Sequence, residues 1–135
     1  MPGFLTDYVN NKVLDCFFGG RALAPPLELH VGLSLTRAYK GGYVAEPLGE
    51  GYERVAIPND LIHFSRASLG RKSNASAITF PEPSAGWGCI LSVFVADAAE
   101  GGNVLAMADL PSPRTVGQGD PAPTIAVDAL FFSHA

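Results

Sequence analysis

The 135-residue sequence predicts a mostly β fold, an antiparallel β-sandwich or jelly roll of about eight short strands with an N-terminal helix. Three observations support this fold class. Glycine (15 residues) and proline (11 residues) recur between short apolar segments, as in chains that turn often. Hydrophobic residues make up 47%, too many for a disordered chain. One segment alternates strictly between apolar and polar residues. The length predicts a single domain over residues 1–135.

The first element is predicted to be a helix over about residues 4–18. Its apolar residues recur at spacings of three and four: Phe4, Leu5, Tyr8, Val9, Val13, Cys16 and Phe17. Thr6 is the predicted N-cap. Gly19 and Gly20 are the predicted end, because glycine readily adopts the left-handed conformation that closes a helix.

The β-sandwich is predicted to span about residues 27–133. Leucine or valine alternates with polar residues or glycine from Leu27 to Leu35, which indicates a strand with one buried face in an antiparallel sheet. Residues 87–96 are apolar at nearly every position, which predicts a central strand covered on both faces. Residues 103–110 are expected to pair with it as a hairpin that Pro111 and Pro113 end. Further strands are predicted at residues 52–57, 61–64, 77–80, 114–117, 123–127 and 129–133.

Two long segments carry no periodic pattern. Residues 36–51 are rich in glycine and are predicted to form a loop, of a length that is often functional. Residues 65–75 are polar and basic and are predicted to form a turn region.

Charge and hydropathy exclude several classes of protein. The net charge of −4 argues against a nucleic-acid-binding protein. No run of about 18 apolar residues predicts a membrane span, and residues 1–20 lack the basic start of a signal peptide. We therefore expect the chain to fold in the cytoplasm. Cys16 and Cys89 are expected to be buried free thiols, because neither belongs to a metal-binding or redox motif.

No motif predicts catalysis, a metal or a cofactor. Asp60, His63 and Ser65 lie close in sequence, but the strand–turn–helix signature of a hydrolase nucleophile is absent. Residues 70–73 resemble only the end of a phosphate-binding loop. We therefore expect a structural or binding protein and no enzyme.

Candidate interface residues are the aromatic and apolar residues of the helix, the long loop, the glycine-flanked tryptophan and the last strand. They are Phe4, Leu5, Tyr8, Tyr39, Tyr43, Trp87, Phe131 and Phe132. A core or rim position is favoured for Trp87. The alternative is a stacking platform with Tyr39 and Tyr43, as in a small glycan-binding module.

Segments in order along nearly the whole chain carry a family resemblance. They lie at residues 1–8, 11–15, 18–20, 25–34, 46–47, 51–56, 72–74, 77–81, 84–88, 97–103 and 116–120. These segments resemble a family of small tailed-bacteriophage virion proteins, whose members are commonly labelled tail fibre or minor tail proteins. Residues 129–135 depart from the family, whose members tend to end in an alternating threonine-rich strand.

The resemblance implies a non-enzymatic virion structural protein. The size and β-rich build favour a capsid cement (decoration) protein, which binds the shell of the major capsid protein and stabilises it through many weak contacts. Self-association as a symmetric dimer or trimer is expected. The alternative is a tail fibre or minor tail protein, although no repeat or coiled coil is visible. The expected location is the virion, on the capsid surface or alternatively on the tail, after assembly in the host cytoplasm and without membrane or specific nucleic acid.

Overall fold

The computed structural model describes residues 1–48 and 51–133, and it confirms a mostly β chain with an N-terminal helix. The elements are β1 (Pro2–Leu5), α1 (Asp7–Gly19), β2 (Glu28–Ser34), β3 (Val55–Pro58), β4 (Arg71–Ser73), β5 (Ile78–Thr79), β6 (Gly88–Ala96), β7 (Val104–Val116), β8 (Thr124–Ile125) and β9 (Phe131–Ser133). No helix among the described residues is long and apolar enough to span a membrane.

Seven strands form one curled sheet in the order β3-β2-β6-β7-β1-β9-β4, and β5 pairs with β8 in a separate two-stranded sheet. The large sheet has the form of a half-barrel, which is consistent with a β-sandwich-like fold. The expected antiparallel pairing is wrong for β1 and β9, which run parallel. These strands lie at opposite ends of the described chain. A parallel pair needs a long connection, and here all the residues between β1 and β9 provide it.

The main core collects side chains from both sheets and from the segments between them. Its buried residues are Val31, Leu33, Ile57, Phe64, Ile78, Phe80, Trp87, Ile90, Val93, Val95, Ala106, Ala108, Val116, Ile125 and Leu130. A second cluster lies on the other face of β6 and β7, where Phe94, Ala96 and Met107 pack against Ala38 and Val44 of the long loop. The prediction of a central strand buried on both faces is therefore confirmed for β6.

The helix begins later than the spacing predicted. Residues Pro2–Leu5 form β1, and the helix covers Asp7–Gly19. In β1, Phe4 lies opposite Met107 and Leu5 opposite Ala106, so hydrogen bonding to neighbouring strands overrides the helical spacing of these apolar residues. Thr6 occupies the N-cap position, but its hydroxyl donates to Val104 O at 2.6 Å instead of capping the helix. Gly20 has φ 68° and closes the helix as predicted.

The expectation of one exposed face on β2 is wrong. Leu27 lies outside the strand and is exposed, and the four residues from Val31 to Ser34 are all buried. The reason is that the long loop folds back over the end of β2, where Ser34 Oγ accepts a hydrogen bond from Ala45 N and Leu35 N donates to Ala45 O.

Three further strand predictions are corrected. Residues 61–64 form a turn with an isolated bridge from Phe64 to Asn74, and β4 lies within the predicted turn region 65–75. Pro111 and Pro113 do not end β7, which continues to Val116 and absorbs the predicted strand 114–117. Opposite them the register jumps between Ile90 and Ser92, and prolines are tolerated at such irregularities because no ladder hydrogen bond is lost.

The long loop prediction holds for residues 36–48, which contain no strand, while residues 49–50 lie outside the described residues. Both cysteines are free thiols, as expected. They are not buried as expected, because Cys89 is exposed at the beginning of β6 and Cys16 is half-buried on α1.

Candidate interaction surface

Helix α1 lies against the domain without burying any of its residues. At its C-terminal end, Phe17 is 75% exposed, Phe18 is 86% exposed and Leu14 is 50% exposed. Full burial of such a side chain is worth about 1.5–3 kcal/mol, so leaving three of them in water marks this end as a contact surface. We call Leu14, Phe17 and Phe18 the helix tip.

The end of α1 holds the helix tip in a defined conformation. Phe18 departs from helical geometry with φ −120° and ψ 22°, and Gly20 follows in the left-handed conformation. The backbone N–H groups of Gly20 and Arg21 both donate to Asp15 O, which closes the helix. No basic residue lies in the last turn of the helix. That turn therefore supplies no positive charge to offset the negative end of the helix dipole or the Asp15 carboxylate.

An apolar groove of about 520 Å³ runs between α1, residues 22–26 and the large sheet. Its lining residues are mostly apolar: Leu5, Tyr8, Val9, Val13, Ala22, Leu23, Ala24, Pro25, Pro26, Leu29, Phe64, Val95, Leu105, Ala106 and Phe132, with Lys12, Asn59, Lys72 and Asp97 as the polar members. The helix tip is not part of this lining. The groove is within the size range of pockets that bind apolar ligand groups.

The two lysines of the apolar groove contribute positive charge. Among the described residues, neither Lys12 nor Lys72 forms an ion pair, and Lys12 Nζ lies 5.3 Å from the centre of the Tyr8 ring. The carboxylate of Asp97 accepts hydrogen bonds from Asn103 N at 2.8 Å and Asn103 Nδ2 at 3.1 Å. Burial of Asp97 opposes ionisation, but these two hydrogen bonds, together with a backbone hydrogen bond within Asp97 and the charge of Arg54, hold its pKa below the ordinary value.

The long loop presents Tyr39 and Tyr43, which are both exposed. The loop is held at several points, since Ala38 N donates to Asp109 Oδ1 at 2.8 Å and Ala45 N donates to Ser34 Oγ at 3.1 Å. The two tyrosines are therefore carried by an anchored loop and are open to contact.

A half-buried cluster of Glu46, Tyr52 and Arg54, which contains an ion pair, fixes the end of this loop region. Tyr52 donates to Glu46 Oε2 at 2.6 Å and accepts a hydrogen bond from Leu33 N at 3.0 Å. The guanidinium of Arg54 bonds both oxygens of Glu46. Burial, followed by the hydrogen bond to Glu46, raises the pKa of Tyr52 above its ordinary range. Sequence reasoning missed this cluster, because nothing in the spacing of the three residues signals a shared site.

The eight candidate interface residues differ in their exposure in the structure. Tyr8, Tyr39 and Tyr43 are exposed. Phe4 and Leu5 are half-buried in β1, where Phe4 packs on the second core cluster and Leu5 on the main core. Their role in an interface, like that of the three tyrosines, stays a prediction.

The terminal aromatic residues are half-buried on β9. The ring centres of Phe132 and Phe64 are 6.2 Å apart, and the Arg71 guanidinium carbon lies 3.7 Å from the centre of the Phe131 ring. Phe132 also lines the apolar groove. Residues 134–135 lie outside the described residues.

The stacking-platform alternative for Trp87 is wrong. Trp87 is only 2% exposed and packs edge-on against Tyr52, with ring centres 5.3 Å apart. It belongs to the main core, so it cannot join the exposed Tyr39 and Tyr43 in a surface platform. The core position that the sequence favoured is the one observed.

The sequence placed Phe17 in the buried stripe of the helix and did not single out Leu14 or Phe18. The spacing gave no signal that separates these residues from the stripe, because an apolar helix face is about 100° wide and consecutive residues such as Tyr8 and Val9 both line the apolar groove.

The sequence-adjacent Asp60, His63 and Ser65 do not form a triad. His63 Nδ1 lies 2.7 Å from Asp60 Oδ1, but Ser65 Oγ faces Ser73, which is 3.3 Å away. The hydrogen bond from His63 lowers the pKa of Asp60. Among the described residues, no group of three His, Cys, Asp or Glu side chains could hold a metal ion.

Comparison with known proteins gives one family. Residues 4–133 match the family described as Podophage GP4 fiber I protein gp80, so the match includes the helix, the long loop and the strands from β2 to β9. No curated protein matches the chain.

Proposed function

The chain belongs to the podophage GP4 fiber I protein gp80 family, and from this membership we propose that it is a structural subunit of a virion fibre. It is a phage virion structural protein. The single observation that carries the fibre proposal is the family match over residues 4–133, which includes every surface described above.

The surfaces of the domain support a role in assembly. The helix tip exposes two phenylalanines and a leucine, and the anchored long loop exposes two tyrosines. Aromatic residues on rigid supports are typical of the centres of protein–protein interfaces, because they bury a large area at a small cost in conformational entropy. We propose accordingly that the chain acts by binding other virion subunits and not as an enzyme.

Capsid cement is the competing proposal. It rests on the small size and β-rich build of the chain and would make the major capsid protein the partner. The family description names a fiber protein, which favours the fibre over the shell. The glycan-binding alternative loses its support, because Trp87 lies in the core.

The experiment that tests the fibre proposal is cryo-electron microscopy of purified virions, processed both with icosahedral averaging of the shell and without symmetry around the tail. We expect density that fits the half-barrel domain on fibres at the tail and none at regular positions on the shell. The number of copies per particle, measured by quantitative mass spectrometry against the major capsid protein, should be small. Regular density over the shell would establish capsid cement instead.

Particles that lack the chain give an independent test. Loss of a fibre subunit should leave DNA-filled shells of normal heat resistance that adsorb poorly to host cells. Loss of a cement protein should instead lower the temperature at which the shell releases its DNA while adsorption stays normal. Particles made with the wild-type chain supplied in trans are the control for both measurements.

A further inference from the structure

We propose that the helix tip of one copy of this chain binds in the apolar groove of a second copy. The contact concerns the chain alone and does not depend on where in the virion the chain is located.

The apolar surfaces on the two sides match in chemistry. The helix tip carries two exposed phenylalanines and one exposed leucine. The apolar groove is lined chiefly by aliphatic and aromatic side chains, and its volume of about 520 Å³ can receive large side chains. Removing both surfaces from water at once supplies the driving force for contact.

The helix tip cannot reach the apolar groove of its own chain as the molecule stands. The groove is walled by Tyr8, Val9 and Val13 on the first turns of α1, whereas the helix tip lies further along the same rigid helix and is absent from the lining. A second copy is therefore the occupant that supplies this surface without unfolding the helix.

The charges of the two surfaces are complementary. Lys12 and Lys72 border the apolar groove and form no ion pair among the described residues. Asp15 is exposed beside Leu14 of the helix tip, and the last turn that follows it has no basic residue and ends in the negative pole of the helix dipole, with Arg21 two residues beyond the helix. Asp97, the acidic member of the groove, is hydrogen-bonded to Asn103 and stays ionised, so the two lysines leave the lining with one net positive charge. The helix end that carries the helix tip thus brings the Asp15 carboxylate and the negative pole of the helix dipole toward the unpaired lysines of the groove, which also disfavours a basic partner at this place.

Sedimentation velocity over a range of protein concentrations tests self-association. We expect the wild-type chain to form dimers or larger species whose proportion rises with concentration. The double variant Phe17→Ser/Phe18→Ser should raise the dissociation constant by about tenfold or more. The matched control is Leu61→Ser/Ile62→Ser, which removes an adjacent pair of exposed apolar residues (52% and 78% exposed) outside both surfaces and should change it little. A wild-type chain that stays monomeric at all concentrations overturns the proposal.

Mixing two defective variants tests which surface binds which. Ala22→Trp places a large side chain in the apolar groove from an exposed position and should abolish association, whereas Ala67→Trp, at an exposed alanine outside the groove, should not. The groove variant retains its helix tip and the Phe17→Ser/Phe18→Ser variant retains its groove, so a mixture should associate although each alone does not. Failure of the mixture to associate means that the helix tip binds elsewhere and overturns the proposal.

Charge reversal tests the electrostatic part of the contact. Asp15→Lys and Lys72→Glu should each weaken association, and a chain that carries both reversals should recover part of the loss because the opposite charges again face each other. Circular dichroism of every variant verifies the fold, which these exposed or half-buried positions should leave intact. No recovery in the double reversal, with the fold intact, contradicts the proposed orientation.

Discussion

Arg54 and Glu46 form an ion pair in which Nη2 and Oε1 are 2.6 Å apart, and the side chain of Arg54 is only 4% exposed. Arg54 Nη1 also donates to Ala98 O at 2.7 Å and Gly101 O at 2.9 Å, in the turn between β6 and β7. The guanidinium therefore connects Glu46, at the end of the long loop region, to a turn whose Ala98 lies 44 residues after Arg54.

Removing the buried guanidinium of Arg54 from this half-buried pair should destabilise the fold strongly. We expect Arg54→Met to lower the free energy of unfolding by about 3 kcal/mol, because Glu46 would keep a charge without its partner. Urea denaturation followed by tryptophan fluorescence measures the change. Asp60→Asn is the control, since it removes an exposed pair with His63 and should have little effect. Equal losses in both variants would mean that burial of Arg54 contributes nothing.

Tyr52 should make the protein sensitive to alkaline pH. Burial and the hydrogen bond to Glu46 raise its pKa above the usual value of 10.0, so the folded state holds the phenol proton more tightly than the unfolded state. This contribution to stability is complete below the unfolded pKa and decreases as the pH rises beyond it. Urea midpoints measured from roughly pH 9 to pH 11 should fall, and the Tyr52→Phe variant should show a shallower decrease. An unchanged slope in that variant would assign the effect to other groups.

Gly32 should not tolerate a side chain. A methyl group at this position of β2 would overlap the Phe94 ring and lie 2.9 Å from the Tyr52 hydroxyl, so both the second core cluster and the ion-pair cluster would have to shift. We expect Gly32→Ala to cost about 1–3 kcal/mol of unfolding free energy in urea denaturation. Gly86→Ala is the matched control, because nothing lies within 4 Å of its added methyl group. A tolerated Gly32→Ala would show that the Phe94 ring can move without loss.

Asn74 should be essential for the stability of the part of the domain that contains β9. Its buried side chain donates to Ser76 O and Ala126 O, both at 2.9 Å, and accepts from Leu130 N at 3.0 Å. Asn74→Ala leaves these backbone groups unpaired and should cost about 2–4 kcal/mol. Thermal unfolding by circular dichroism measures the loss, with the exposed Asn11→Ala as control. A melting temperature equal to that of the control would contradict this assignment.

Sequence patterns alone were enough to predict the elements that depend on residues close together in the chain. The continuous apolar run of β6 indicated burial on both faces, the next segment paired with it as a hairpin, and Gly20 marked the end of the helix. Each of these features depends on residues close in sequence, where spacing and backbone preference act directly. The same kind of reasoning marked the helix as a candidate interface, but it placed Phe17 in the buried stripe.

Tertiary structure decided the features that depend on distant residues. Phe4 and Leu5 carry a helical spacing, but hydrogen bonds from β7 and β9 draw them into a strand. The exposure of the helix tip follows from which surfaces of the helix the sheet covers. The sequence alone was enough to identify the family resemblance and the local patterns. It did not predict the groove or the ion-pair cluster, because a contact between distant residues is stabilised only once the fold has brought them together.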